Sequence, residues 1–177
     1  MPSIIKKHQE EYLVVDDPWK LLRIPPGETA ETVRLPLWPL LVPVSVWRAR
    51  RTELIVREYE YGWPVGVWLA PDEGPETIAA DLDDFPVIAI DFPKFTDGRG
   101  YSTARLLRER YRYRGELRAV GDVGRDQLFF LARAGFDAFV LKPGEDPHAA
   151  LKGLRDFSVT YQGAADDPLP LFRRRTA

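Results

Sequence analysis

The 177-residue chain has no cysteine, only two histidines and a single methionine. Without cysteine it cannot form disulfides, use a thiolate nucleophile, or hold zinc or an iron–sulfur cluster through sulfur. His8 and His148 are far apart in the sequence and form no ligand pattern. We therefore predict no metal site and no cofactor bound through cysteine, while any other cofactor stays undetermined. A carboxylate-only magnesium site is left open, though without a motif, at Asp72, Asp91 and Asp122.

Long apolar runs are missing as well. No stretch approaches the roughly 20 apolar residues that span a bilayer, and the N-terminus lacks the apolar segment of a signal peptide. We therefore expect a cytoplasmic protein with no membrane partner. The 25 basic and 27 acidic side chains give a net charge of -2, so a nucleic-acid partner is not expected either.

Aromatic residues are plentiful, with five tryptophans, nine phenylalanines and seven tyrosines in a chain that is 45% hydrophobic. This composition is typical of a packed globular core, and the length suits one core with additions. We divide the chain into an N-terminal β arm or hairpin (1–36), an α/β domain (37–162) and a loosely ordered C-terminal tail (163–177). The arm is expected to use EYLVV and TVRLPLW, separated by the turn-rich IPPGE.

Short apolar runs alternate with helix-period segments from residue 65 onward. The predicted strands are 65–69, 87–92, 116–120, 137–141 and 158–161. Their spacing leaves room for one helix in each gap, which predicts a mostly parallel sheet of four to five strand–helix units. Two folds fit: an open doubly wound sheet with helices on both faces, or a partial βα barrel whose edges need cover from the arm or from a second copy of the chain.

Helix signals support this alternation. Pro75 fits the first helical position of a segment ending near Phe85, and Ser102 is expected to cap the next helix. Gly135 is expected to end a third helix, and the Asp146-Pro147 pair to begin the last. A further helix is predicted to start near Pro43, ahead of the strand–helix units.

Charged residues follow each predicted strand. Because the carboxyl ends of parallel strands meet at one edge of a sheet, these side chains are expected to share the edge where such folds bind ligands. Two loops, DGRGYS and GDVGRDQ, place glycines and an arginine before a helix, as anion-binding loops do. The candidate anion- or substrate-binding residues are Lys94, Asp97, Gly98, Arg99, Gly100, Tyr101, Ser102, Asp122 and Arg125.

Asp91 ends an apolar strand, where a carboxylate needs a cation close by. Asp91 and Lys94 are therefore weak candidates for an acid–base pair. The structural alternative is an ion pair of Asp91 with Lys94 or Arg125, and of Arg99 with Asp97 or Asp122. The sequence leaves both readings open.

Six arginines lie within residues 105–118, with tyrosines between them. Such a segment is either a solvated helix face or a surface for an acidic partner. We favour a protein partner over nucleic acid because the rest of the chain is not basic. The candidate docking residues are Arg105, Arg108, Arg112 and Arg114.

Several stretches of the sequence resemble a known protein family, and the resemblance suggests the cellular process in which the chain takes part. The stretches DFPKFTDGRGYS, LRERYRYRGELRAVGDVGRDQLFFLARAGFDAF, LLVPVSVW and GVWLAPDE resemble an uncharacterised bacterial domain-of-unknown-function family over most of residues 38–141. Genes of that family typically lie beside the gene for the siroheme-containing assimilatory sulfite reductase. The resemblance implies an accessory protein of sulfite assimilation that contacts the reductase or its electron donor. The alternative is an enzyme for a small anion, in which Asp91 and Lys94 are the acid–base groups and Arg99 and Arg125 hold the substrate.

Overall fold

A computed structural model describes residues 2–155, 163–165, 170 and 173. One mixed sheet passes through this part of the chain. Its strands are β1 (Ser3–His8), β2 (Glu11–Asp16), β3 (Lys20–Leu21), β4 (Leu40–Pro43), β5 (Val65–Leu69), β6 (Val87–Phe92), β7 (Glu116–Gly121) and β8 (Ala138–Phe139). The spatial order is β2-β1-β8-β7-β6-β5-β4-β3, so the sheet has eight strands rather than the four or five expected.

Strands β3 to β8 are parallel and lie side by side in chain order. A doubly wound sheet would reverse its strand order at a switch point, whereas this order advances in one direction throughout. When every right-handed crossover moves to the next strand in the same direction, all the connecting helices lie on one face of the sheet. The fold is therefore a curled half-barrel, in line with the partial barrel. Strand β1 is antiparallel both to β2 and to β8.

The sheet curls because its two edge strands are consecutive in the chain. Eight flat strands would place β2 and β3 about 34 Å apart, at about 4.8 Å per strand. Only residues 17–19 separate β2 from β3, and that link spans at most about 14 Å even when fully extended. The sheet must therefore curl until β2 and β3 come close together. Residues 17–19, which connect them, lie at the concave side of the sheet.

Four α-helices are described: α1 (Val44–Tyr61), α2 (Arg99–Glu109), α3 (Leu128–Ala134) and α4 (Pro147–Ala150). The expected start of α1 near Pro43 is confirmed. Gly135, at φ 107°, ends α3 in the left-handed conformation as predicted. Asp146 caps α4 by accepting bonds from the backbone NH groups of His148 and Ala149. Among the described residues, none of the helices is both long and apolar enough to cross a bilayer.

Two helix predictions were wrong in detail. The segment from Pro75 forms two short 3₁₀ helices, Pro75–Thr77 and Ala79–Asp84, instead of one α-helix. Ser102 is not a cap, because α2 already begins at Arg99 and Ser102 lies within it. Gly100 permits this earlier start, since it packs directly against the ring of Phe92, where a side chain would not fit.

Strand predictions were best in the centre of the sheet. β5 and β6 match the predicted bounds, and β7 extends one residue further, while β8 keeps only Ala138–Phe139 of the expected five residues. The arm does form a hairpin, but EYLVV pairs with SIIKKH ahead of it rather than with TVRLPLW. The predicted strand at 158–161 lies outside the described residues.

The two faces of the sheet are packed differently. Alternate residues such as Val67, Ile90 and Leu117 join one large core with the helices on the convex face. On the concave face, Ala89 and Val120 belong to a smaller cluster. That smaller cluster consists of Leu41, Val87, Ala89 and Val120, with Trp19, Leu21, Trp68 and Val140 packed against it.

Candidate functional site

The carboxyl ends of β6, β7 and β8 surround a cleft of about 620 Å³. We call this the edge cleft. Its lining includes Arg23, Asp91, Pro93, Asp122, Lys142 and Pro143. Parallel strands bring Asp91 and Asp122 to the same edge although 31 positions separate them in the chain. Charged residues at or just after the carboxyl ends of β6, β7 and β8 therefore do lie together at this edge.

Asp91 points into the concave side and is 7% exposed. Its Oδ1 accepts a hydrogen bond from Nη2 of Arg23 at 2.8 Å. Arg23 follows β3 at the far edge of the sheet and also lies over the ring of Trp68, 4.9 Å from the ring centre. Asp91 thus has the cationic partner that its position requires, although neither of the two cations proposed from the sequence.

The loop after β6 contains a second ion pair. Arg99 donates from Nε and Nη2 to the two carboxylate oxygens of Asp97, at 2.9 and 2.6 Å. The hydrogen bond from Arg99 lowers the pKa of Asp97, and Asp97 raises the pKa of Arg99. An anion bound by Arg99 would have to compete with this carboxylate. Lys94 lies in the same loop with its side chain exposed.

The glycines and hydroxyls of DGRGYS have separate surroundings. Gly98 is the exposed N-cap of α2, whereas Gly100 is buried under Phe92. Tyr101 is half-buried and packs edge-on against Phe92, with ring centres 5.6 Å apart. Burial raises the pKa of the Tyr101 phenol. Ser102 is exposed on α2. The loop therefore begins as a solvent-facing turn and becomes part of the core within three residues.

The second glycine loop approaches the first. Asp122 accepts a hydrogen bond from the backbone NH of Phe95 at 2.9 Å, and the Lys142 ammonium lies 3.7 Å from its other oxygen. Gln127 accepts from the NH of Gly124 at 2.9 Å and donates to the carbonyl of Phe95 at 3.3 Å. These bonds connect the loops after β6, β7 and β8. Arg125 is exposed at the start of a 3₁₀ turn.

A metal site finds no support in this geometry. Within the described residues, no three histidine, aspartate or glutamate side chains converge as metal ligands do. Two of the three carboxylates considered for magnesium have nitrogen partners: Arg23 binds Asp91, and Phe95 and Lys142 contact Asp122.

The arginine-rich segment divides into buried and exposed residues. Arg108 is structural: it donates to the carbonyls of Gly135, Tyr113 and Gly115 at 2.8 to 2.9 Å and pairs with Asp137. Arg105 is exposed and pairs with Glu109 within α2 at 2.8 Å. Of the four docking candidates, Arg112 and Arg114 are exposed and make no ion pair within the described residues.

Those two arginines belong to a turn at the end of α2. Arg110 is also exposed, and its guanidinium lies 5.8 Å from the ring centre of Tyr111. Arg112 adopts a left-handed backbone at φ 55° within this turn. We call residues 110–114 the arginine turn. It precedes β7 and therefore lies at the amino-terminal edge of the parallel strands, opposite the edge cleft.

Sequence reasoning missed the residues that come from the N-terminal arm. Arg23 binds Asp91 across 68 positions, and Asp17 binds Arg118 across 101. The Arg118 guanidinium is 1% exposed and lies 2.9 Å from both oxygens of Asp17. No local sequence pattern predicts partners so far apart in the chain. The one available signal was Arg118 in the middle of the predicted strand 116–120, because a buried arginine requires an acidic partner.

The model of a bacterial family, described as a bacterial protein of unknown function (DUF934), matches residues 66–172. This covers more than half of the chain, including β6, β7, the edge cleft loops and the arginine turn. No curated protein matches the chain.

Proposed function

The chain belongs to the bacterial family DUF934, and we propose that it is an accessory protein of assimilatory sulfite reduction that docks to the reductase or to its electron donor. The family resemblance of residues 38–141 supports a role in sulfite assimilation. The contact surface that we propose is the arginine turn. Its three exposed arginines are the observation that carries the docking role.

Clustered cations of this kind do not stabilise the fold. Arg110, Arg112 and Arg114 have no carboxylate at ion-pair distance in the described part of the chain, and their like charges repel one another. Arg108 and Arg118 show what arginines do here when they serve the fold: each is tied to an acid. An acidic partner would supply the charge that the turn lacks, with the largest effect on association rate.

A cavity lies beside the arginine turn and could accept a side chain of the partner. A cavity of about 380 Å³ opens next to Arg114 and is lined by the aromatic residues Tyr12, Tyr113 and Phe136 and by the charged residues Lys7, Arg108, Glu109 and Asp137. Both acids are already paired with arginines, so the aromatic residues are available to an anchoring side chain of a partner protein. We propose that the acidic surface of the partner contacts the arginine turn while one of its apolar side chains enters this cavity.

The test uses purified sulfite reductase and its purified ferredoxin-like donor, each immobilised in turn for biosensor binding. We expect one of them to bind the chain, with an affinity that falls as salt is raised from 50 to about 300 mM. The triple variant Arg110→Glu, Arg112→Glu, Arg114→Glu should lose at least about tenfold in affinity. The matched control Arg34→Glu, Lys152→Glu, Arg155→Glu reverses three exposed cations elsewhere and should bind normally. Failure of both proteins to bind, or equal loss in the control, would contradict the docking role.

A growth assay separates docking from the enzyme alternative. Cells lacking the gene are grown with sulfate as sole sulfur source and complemented with variants. Asp91→Asn and Lys94→Ala should restore growth if the role is docking, whereas an enzyme using these two residues would be inactive. No contact in the described structure favours the enzyme: Asp91 is bonded to Arg23, and the Lys94 side chain is exposed.

We propose that a small anion such as sulfite binds at the edge cleft in the accessory role. There it would compete with Asp91 for Arg23 and with Asp122 for Lys142.

A further inference from the structure

The concave side of the half-barrel contains a larger opening than the edge cleft. Its volume is about 700 Å³, within the roughly 300 to 1,000 Å³ of small-molecule sites. We call it the inner groove. Its walls are mainly apolar and include Trp19, Leu21, Trp38, Leu41, Val120 and Val140. None of these six residues belongs to the arginine turn or to the lining of the edge cleft.

Two tryptophans give the groove flat walls. Trp19 and Trp38 are both half-buried, so part of each indole faces the opening. Trp38 is held in place by stacking on Trp63, with ring planes 4° apart. Large aromatic walls favour flat ring systems, which bury much area against an indole at little entropic cost. The apolar character of the walls thus points to a ring compound rather than to a small inorganic ion.

Charge at the groove favours an acidic ligand. The Lys20 ammonium lies 4.2 Å from the ring centre of Trp38, and no described carboxylate pairs with it. Arg23, which also lines the groove, keeps 54% of its side chain exposed despite its bond to Asp91. Deeper in the groove, Arg118 pairs with Asp17 and Glu116, and Lys6 also pairs with Glu116, so the two cations and two acids balance. The unmatched charge at this site is therefore positive.

We propose that the inner groove binds a flat, largely apolar ring compound carrying an acidic group, with the rings against Trp19 and the acid on Lys20 over Trp38. Lys20 supplies the charge, and its position over Trp38 places the ammonium beside the ring site. The acid would replace water around an ammonium that has no other anionic partner, so it adds affinity without breaking an existing pair. This assignment is independent of the docking role.

Two related probes test the charge and the ring contact separately. 1-Anilinonaphthalene-8-sulfonate carries an acidic group, and N-phenyl-1-naphthylamine has the same rings without it. Fluorescence titration of the native chain should give one site per chain for the sulfonate, bound more tightly than the amine. Lys20→Gln should weaken the sulfonate about tenfold and leave the amine within about twofold, since only the charge–charge contact is lost. Lys152→Gln, an exposed lysine elsewhere, should change neither probe.

Filling the groove tests the location. Val140→Phe should weaken both probes by more than about tenfold, and Leu21→Phe provides a second filling variant from an edge strand if the first does not melt cooperatively. Sulfonate binding that survives both variants, or that Lys20→Gln leaves unchanged, would overturn the proposal by indicating nonspecific apolar binding. Light scattering that shows a dimer converted to monomers by these variants, without probe binding, would overturn it by assigning the groove to a second copy of the chain.

Discussion

The two faces of the sheet do different work. On the convex face, side chains such as Val67, Ile90 and Leu117 are at most 1% exposed beneath the helices. The concave face instead combines a smaller apolar cluster with half-buried tryptophans and two ion pairs, Asp17–Arg118 and Arg23–Asp91. Strand alternation produces this division, since neighbouring residues of β6 or β7 point to opposite sides.

The comparison assigns stability mainly to the convex face and leaves the concave face available for recognition. Helices cover the convex face and exclude water from it, so its contribution is hydrophobic burial. The concave face is not covered by any of the four described α-helices; the link of residues 17–19 and single residues such as Arg23 and Trp38 border it, and it keeps an open groove. Polar contacts between the arm and the central strands hold the curl in place without closing that groove.

The buried ion pair of the concave face should give the largest effect. Arg118→Ala leaves the buried Asp17 without a cationic partner, while Glu116 keeps its contact with Lys6. We expect a loss of about 3 to 5 kcal/mol in the free energy of unfolding, measured by urea denaturation. The double variant Asp17→Ala, Arg118→Ala should cost much less than the two single losses added together. A loss below about 1 kcal/mol for Arg118→Ala would show that the arm does not depend on this pair.

The next comparison places the same substitution on each face. Leu117→Ala removes a fully buried side chain from the convex core and should cost about 2 to 5 kcal/mol. Leu21→Ala, at the half-buried rim of the inner groove, should cost less than half as much because water already reaches that side chain. Urea unfolding of both variants measures the contrast. Equal losses would mean that the concave face is packed as tightly as the convex face.

The central strands were predictable because their apolar runs are continuous. Val87–Phe92 and Val65–Leu69 are buried on both faces or nearly so, which makes the run itself the signal. β4 was not predicted because LLVP leads straight into α1, and a four-residue strand followed by a helix resembles one longer helix. β3 is two residues long, too short for any periodicity.

The site was predictable only in part, for a related reason. Strand ends indicated the edge that holds Asp91 and Asp122, because topology alone places them there. Arg23 and Lys20 belong to the arm, and their positions depend on how the sheet curls back on itself. A contact across 68 residues has no local signature. The 3₁₀ turns of residues 75–84 likewise replaced a helix that the apolar spacing alone suggested.

The smallest expected effect concerns the exposed ion pair that lies beyond both faces. Asp97 and Arg99 form an aspartate–arginine ion pair like Asp17 and Arg118, but the Arg99 side chain is 60% exposed. The hydrogen bond from Arg99 lowers the pKa of Asp97, so the pair's contribution to stability is present above the ordinary carboxyl pKa. That contribution should be lost as the pH falls through the lowered pKa of the folded state.

Carbon-detected NMR titration of the Asp97 carboxyl measures this directly. The midpoint should lie below that of an aspartate in an unstructured peptide and should rise in Arg99→Gln, whereas Arg105→Gln, which breaks a different exposed pair, should leave it in place. Unfolding of Arg99→Gln should differ little from that of the parent chain, because solvent screens an exposed pair. A loss as large as that of Arg118→Ala would instead show that the loop after β6 is as important to stability as the buried pair of the concave face.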